Sequence, residues 1–110
     1  MVNRPKRLGS SFETALADYL RAEIYPLAER RVTEGRNDRG DIAGTPHCFE
    51  AKNLKTIDLA GGMDELAAEM VHAGTRFGFL VVKRRRRGIG DAYVVMSLRQ
   101  LVAILKELDQ

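Results

Sequence analysis

Helices alternating with extended segments predict an α/β domain, a mixed central β-sheet flanked by helices in the order α-β-β-β-α-β-β-α. Three observations carry this expectation. Apolar residues recur at helical spacing through Phe12, Ala15, Leu16, Tyr19, Leu20 and Ile24, and again through Leu59, Met63, Leu66, Ala67, Met70 and Val71. The stretch Phe77-Gly78-Phe79-Leu80-Val81-Val82 is almost continuously apolar, as a strand buried on both faces requires. Between the helical stretches, Gly40 to Lys52 holds two short extended segments separated by the turn residues Gly44, Thr45 and Pro46.

Residues 1–9, with Arg4, Lys6 and Arg7, read as a flexible basic arm, and residues 10–110 as one domain. Ser10 and Glu13 have capping-box spacing and would open the first helix. Pro26 restricts Tyr25 to extended geometry and would end it. Arg31-Val32-Thr33 reads as a first strand, 35–40 as a turn, and Asp41–Ala43 and His47–Asn53 as the second and third strands. Asp58 caps a second helix and Gly74 stops it. After the apolar strand, Lys83 to Gly90 turns the chain into Ala92–Met96, a fifth strand. Ser97 and Gln100 form another capping box, opening a last helix expected to bury Leu98, Leu101, Val102, Leu105 and Leu108.

The 110 residues suit one domain, which at this size buries about 65% of the surface its unfolded chain exposes. A composition 45% hydrophobic and 30% charged is that of a soluble globular chain. No apolar run approaches the roughly 18 residues a membrane span needs, and the basic start is not followed by a signal-peptide core. One cysteine, Cys48, excludes an internal disulfide and a cysteine-based zinc site, and points to a reducing cytoplasm. No phosphate-binding loop, dinucleotide fingerprint or serine triad is present, so no nucleotide cofactor is expected. The net charge is only +3, but basic residues segregate around Arg30 to Arg39 and in the run Lys83 to Arg87, while acids gather in the helices. Such segregation suits a positive face meeting a polyanion; its bland counterpart is a solvated loop beside ordinary helix surfaces.

Asp41, Glu50 and Lys52 are the strongest chemical candidates. Residues two apart on a strand share a face about 6.6 Å apart, so Glu50 and Lys52 point the same way and a hairpin-like return would bring Asp41 alongside. Two carboxylates 4 Å apart repel by about 4 kcal/mol at an effective dielectric near 20, and so call for a cation or a shared proton. Hard oxygen ligands suit Mg2+, with Mn2+ as a substitute. Lys52 would orient a water or stabilise charge growing on phosphate. Glu13 borders the buried stripe of its helix and is a third candidate, although the capping box accounts for it equally. Lys83, Arg84, Arg85, Arg86 and Arg87, with Arg36 and Arg39 flanking the acids, suit phosphate, which the guanidinium fork grips through parallel hydrogen bonds. His47, His72 and Cys48 lack metal-ligand spacing.

Together, Glu13 in a first helix, Asp41 in Gly-Asp-Ile and Glu50-Ala51-Lys52 in the next strand resemble the PD-(D/E)XK nuclease superfamily. Within it, the opening Gly9-Ser10-Ser11-Phe12-Glu13 and the strand running into Lys83-Arg84 are most similar to Holliday-junction-resolvase-like nucleases. The resemblance spans about Gly9 to Leu105. It implies a restriction-endonuclease-like core, Mg2+-dependent hydrolysis of DNA phosphodiesters with branched DNA as substrate, and a homodimer. Asp41, Glu50 and Glu13 would hold the metal, and Lys52 would activate water. Gly40 stands where the motif name has proline, and where some relatives carry a glutamine in the next helix this chain offers Asp64, Glu65 and Glu69, of which Glu65 is the match, with acid in place of amide. A nuclease for duplex, nicked or single-stranded DNA, a non-catalytic DNA-binding module of the same fold, and a small interaction protein with decorative charges are the other readings.

Overall fold

Side chains of a strand alternate between faces, and here each face receives its own helix. The computed structural model describes residues 4–32 and 38–110, with side chains from residue 11 onward. Its elements are helix α1 (Arg4–Glu23), strands β1 (Glu29–Arg30), β2 (Ile42–Ala43) and β3 (Cys48–Lys52), helix α2 (Leu59–Ala73), strands β4 (Gly78–Val82) and β5 (Tyr93–Val95), and helix α3 (Leu98–Leu108). β3 and β4 are parallel, β4 and β5 antiparallel, and β1 and β2 form a separate antiparallel pair. One backbone bond ties the two sheets together: Asp41 N donates to Phe49 O at 2.8 Å.

Phe49 and Val81 face α1, packing with Phe12, Leu16, Ala17, Ala28 and Ile42. Cys48, Leu80 and Val82 face α2, packing with Leu66. Glu50 pairs with Leu80 and Lys52 with Val82 in the ladder, so both charged residues lie on the α2 side of the sheet. Helix α2 is delimited as its sequence predicts: Asp58 accepts from Gly61 N, and Gly74 ends it in the left-handed conformation. β4 is buried along most of its length, in keeping with its apolar run. Among the described residues no helix is long and apolar enough to cross a membrane.

The ends of the chain depart from expectation. Residues 4–9 are helical, so the basic arm is the first turns of α1 and Ser10 lies inside the helix rather than at its cap. Pro5 fits the first turn, where its missing N–H has no intrahelical partner to lose. β1 lies at Glu29–Arg30, short of the predicted Arg31–Thr33, and residues 33–37, including the first half of the predicted turn, fall outside the described residues. Helix α3 buries none of its residues: Leu98, Leu101, Val102, Leu105 and Leu108 are all exposed. Its half-buried residues are Gln100, Ala103 and Ile104, and the Gln100 amide bridges Gly78, donating to its carbonyl at 2.8 Å and accepting from its N–H at 3.0 Å. Ser97 accepts from Gln100 N as a cap should, but the Gln100 side chain serves the sheet instead of closing the box. The amphipathic stripe is real; it faces outward.

Gly40 sets the entry to β2. Its φ is +96°, and a Cβ there would lie 2.9 Å from Cys48 Sγ and 3.0 Å from Phe49 O. Gly40→Ala is therefore expected to lower unfolding free energy by about 1–3 kcal/mol. Gly88→Ala, where φ is −70° and a Cβ meets nothing within 4 Å, is expected to be close to neutral. Urea denaturation of the two variants checks this.

Candidate metal and phosphate site

The candidate site forms where the β2 entry meets β3 and α2. Asp41 is held by the backbone: its Oδ2 accepts from Ala51 N at 2.7 Å. Glu50 is buried at 5% exposure, its Oε2 lies 3.3 Å from Lys52 Nζ, and its Oε1 has no hydrogen-bond partner. Lys52 Nζ also donates to both oxygens of Glu65, at 3.0 and 3.3 Å. The structure thus brings Asp41, Glu50, Lys52 and Glu65 together.

Glu13 is placed differently. It rides on α1, on the opposite side of the sheet from Glu50 and Lys52, and its Oε2 accepts from Arg30 Nε at 2.9 Å. Its charge still reaches Asp41, whose pKa it helps raise, while its hydrogen bond goes to β1. With Ser10 inside the helix, the capping role also lapses; Glu13 is an ion-pair partner to β1.

Asp38, which the sequence does not single out, and Glu69, to which Glu65 was preferred, belong to the group. Glu69 of α2 is 3% exposed, and Asp38 precedes β2; one oxygen from each lies within 4.8 Å of the other and of one from Glu50. The signal for Glu69 was available, since Gly62, Leu66 and Glu69 make one buried stripe of α2, which placed an acid on the apolar face. Asp38 carried no such signal. His72, set aside in the sequence, contacts the Asp38 carbonyl through Nδ1 at 3.1 Å. His47 packs among Tyr25, Phe77 and Phe79. Burial pushes the Cys48 thiol up to about 12, which rules it out as a nucleophile at neutral pH.

Crowded acids in a dry pocket resist ionisation. Burial, opposed in part by the Ala51 N–H, raises Asp41 to about 6. Burial, then a hydrogen bond with Glu65 and the charges of Asp41 and Glu69, raises Glu50 to about 11. Burial raises Glu69 to about 8, opposed in part by a hydrogen bond from Glu50, with the charges of Asp38, Glu65 and Asp41 adding to the rise. Glu65, accepting from Glu50 and Lys52, is held below the usual carboxylate range. Burial disfavours the Lys52 ammonium, but its bonds to Glu65 and Glu50 prevail and hold it above its usual value.

The basic run begins at the same end of the sheet as Lys52, where Lys83 N donates to Lys52 O at 3.0 Å, but the Lys83 side chain turns to the α1 side. Lys83 sits over the Phe12 ring and Arg84 over Tyr93, while Arg85 donates to Asn53 Oδ1 at 2.7 Å. Arg86 holds a left-handed φ of +63° in the turn closed by Arg87 N and Arg84 O, a conformation that costs a non-glycine residue on the order of 1 kcal/mol. A groove of about 320 Å³ runs between this loop and α1, lined in part by Ser11, Phe12, Lys83, Arg84 and Arg87. Arg39 lies next to Gly40 at the β2 entry, where its carbonyl meets Cys48 Sγ; Arg36 lies outside the described residues.

Comparison with protein-family models, with curated proteins and with solved structures finds no match for this chain.

The raised acids fix a pH dependence. Asp41, Glu50 and Glu69 bind protons more tightly folded than unfolded, so their contribution to stability is full below about pH 4. It is lost as pH rises through about 6 for Asp41, about 8 for Glu69 and about 11 for Glu50. Protein in EDTA is therefore expected to melt higher at pH 5 than at pH 8, each engaged group contributing up to about 1.4 kcal/mol per pH unit. Scanning calorimetry reads the slope, which added Mn2+ should flatten.

Proposed function

We propose that this chain is a divalent-metal-dependent endonuclease with a restriction-endonuclease-like core, acting on branched DNA such as four-way junctions. The observation that carries the reading is buried Glu50 between half-buried Asp41 and Lys52, with an orphaned Glu50 oxygen and a basic run whose first residue bonds the Lys52 backbone. Mg2+ or Mn2+ fits this donor set, because hard oxygens suit these ions and a cation would answer the raised acids. A cation bound by Asp41 and Glu50 would supply Lewis acidity toward a phosphate oxygen.

The chain's own groups account for the remaining work. Lys52 Nζ, held charged between Glu50 and Glu65, is positioned to orient an attacking water or to meet charge developing on phosphate. Lys83 to Arg87 and Arg39 would grip flanking phosphates, giving affinity without sequence preference and with strong salt dependence. Glu13, paired with Arg30, would act on the site only through its field at Asp41. The lone buried thiol suits a reducing cytoplasm.

One observation favours a second reading, a DNA-binding module of the same fold without catalysis: Glu65 occupies the Lys52 ammonium with both oxygens. A cleavage panel of junction, flap, nicked, duplex and single-stranded DNA with Mg2+ separates the readings. Junction and flap cutting is expected, with Asp41→Asn and Lys52→Ala each about 100-fold slower or worse while remaining folded by circular dichroism. Cutting confined to duplex, nicked or single-stranded DNA would move the substrate. Salt-sensitive binding with no cutting would support the module.

Symmetric cutting of two strands needs two sites, so a second copy is the partner we propose for the outer face of α3 and the open edge of β5, where Tyr93 and Val94 are exposed. Light scattering is expected to show a dimer for the wild type and a monomer for Leu101→Glu/Leu105→Glu, with paired incision lost and divalent-ion binding kept.

A further inference from the structure

We propose a second divalent-cation site, formed by Asp38, Glu50 and Glu69, that clips α2 to β3 and to the β2 entry. It shares Glu50 with the proposed catalytic centre, but it does not require that centre to cut DNA.

Three parts of the chain converge there, each giving one carboxylate oxygen within 4.8 Å of the other two. An equilateral triangle of that side places its centre about 2.8 Å from each corner, a few tenths of an ångström beyond the 2.3–2.6 Å of calcium–oxygen bonds and within side-chain adjustment of Mn2+ or Mg2+ distances. Glu69 is 3% exposed, and neither of its oxygens meets an N–H, hydroxyl or ammonium donor; the same is true of Glu50 Oε1, and the group nearest Glu69 is the Glu50 carboxyl itself. On that buried stripe of α2 a leucine or methionine would pack at no electrostatic cost. An acid there, facing two other acids, is a donor set without an acceptor.

The neighbouring contacts hold the ligands in place. Asp38 Oδ1 accepts from Gly40 N at 2.9 Å, and His72 of α2 reaches the Asp38 carbonyl. Lys52, the cation paired with Glu50, is also gripped by Glu65, so it does not neutralise Glu69. Oxygen-only ligands with three nominal negative charges select a hard divalent ion, Mn2+, Mg2+ or Ca2+, with water completing its shell. The alternative occupant of the cluster is a proton shared between Glu50 and Glu69.

Mn2+ is the probe, titrated into the full chain near pH 7.5 and followed by calorimetry and by electron paramagnetic resonance of free Mn2+. The wild type is expected to take up Mn2+, and Glu69→Gln and Asp38→Asn are each expected to weaken the tightest site by at least about tenfold. Asp41→Asn should leave that site in place. Should Glu69→Gln not fold, Asp38→Asn gives the same reading. No Mn2+ uptake by the wild type, or wild-type affinity in a folded Glu69→Gln or Asp38→Asn, overturns the proposal in favour of the shared proton. Loss of all uptake in Asp41→Asn, with Glu69→Gln unaffected, overturns it while leaving the catalytic reading intact.

Discussion

Asp41 grips β3 on either side of Glu50. Its backbone N–H donates to Phe49 O, and its side chain accepts from Ala51 N. The first bond joins the β1–β2 pair to the three-stranded sheet, and the second fixes the carboxylate at the seam. Asp41 is thus a backbone anchor between the two sheets. Anchoring also sets an acid beside Glu50 and so helps hold the Glu50 proton. Architecture and chemistry share one residue, and Gly40 makes both possible by a backbone turn that a Cβ would obstruct.

Alternation along β3 decides which candidates can meet. Phe49 and Ala51 point to the α1 side, whereas Glu50 and Lys52 point to the α2 side. The acids of α2 therefore meet Glu50 directly, whereas the acid of α1 bonds Arg30 and acts on Asp41 through its charge. This separation was readable from the strand's period of two, once one knows which helix covers which face. That knowledge is tertiary, and local spacing does not hold it. Glu13 was ranked by its angle on its own helix, a quantity that says nothing about the sheet.

The middle of the chain was legible because its signals are local. Asp58, Gly74 and Ser97 cap helices where expected, and the apolar run of β4 is buried. What was missed needed information from elsewhere in the fold. The start of α1 lies upstream of a capping pattern that was sound in form and wrong in place. The outward face of α3 was missed because amphipathicity reports a face that seeks apolar cover, without saying which chain supplies it. Glu69 sits among apolar neighbours of one helix, and its partners come from a strand and a loop far away in sequence.

The tether of α3 has a consequence for how the protein folds. The buried clusters draw on residues up to Val95, the last residue of β5, and α3 is then secured to Gly78 through the Gln100 amide. The apolar interior can close before α3 docks, because it holds no buried residue of that helix. The helix is then added to a finished body by a polar latch, with its leucines still facing water. Its apolar side is never committed to the folding of its own chain.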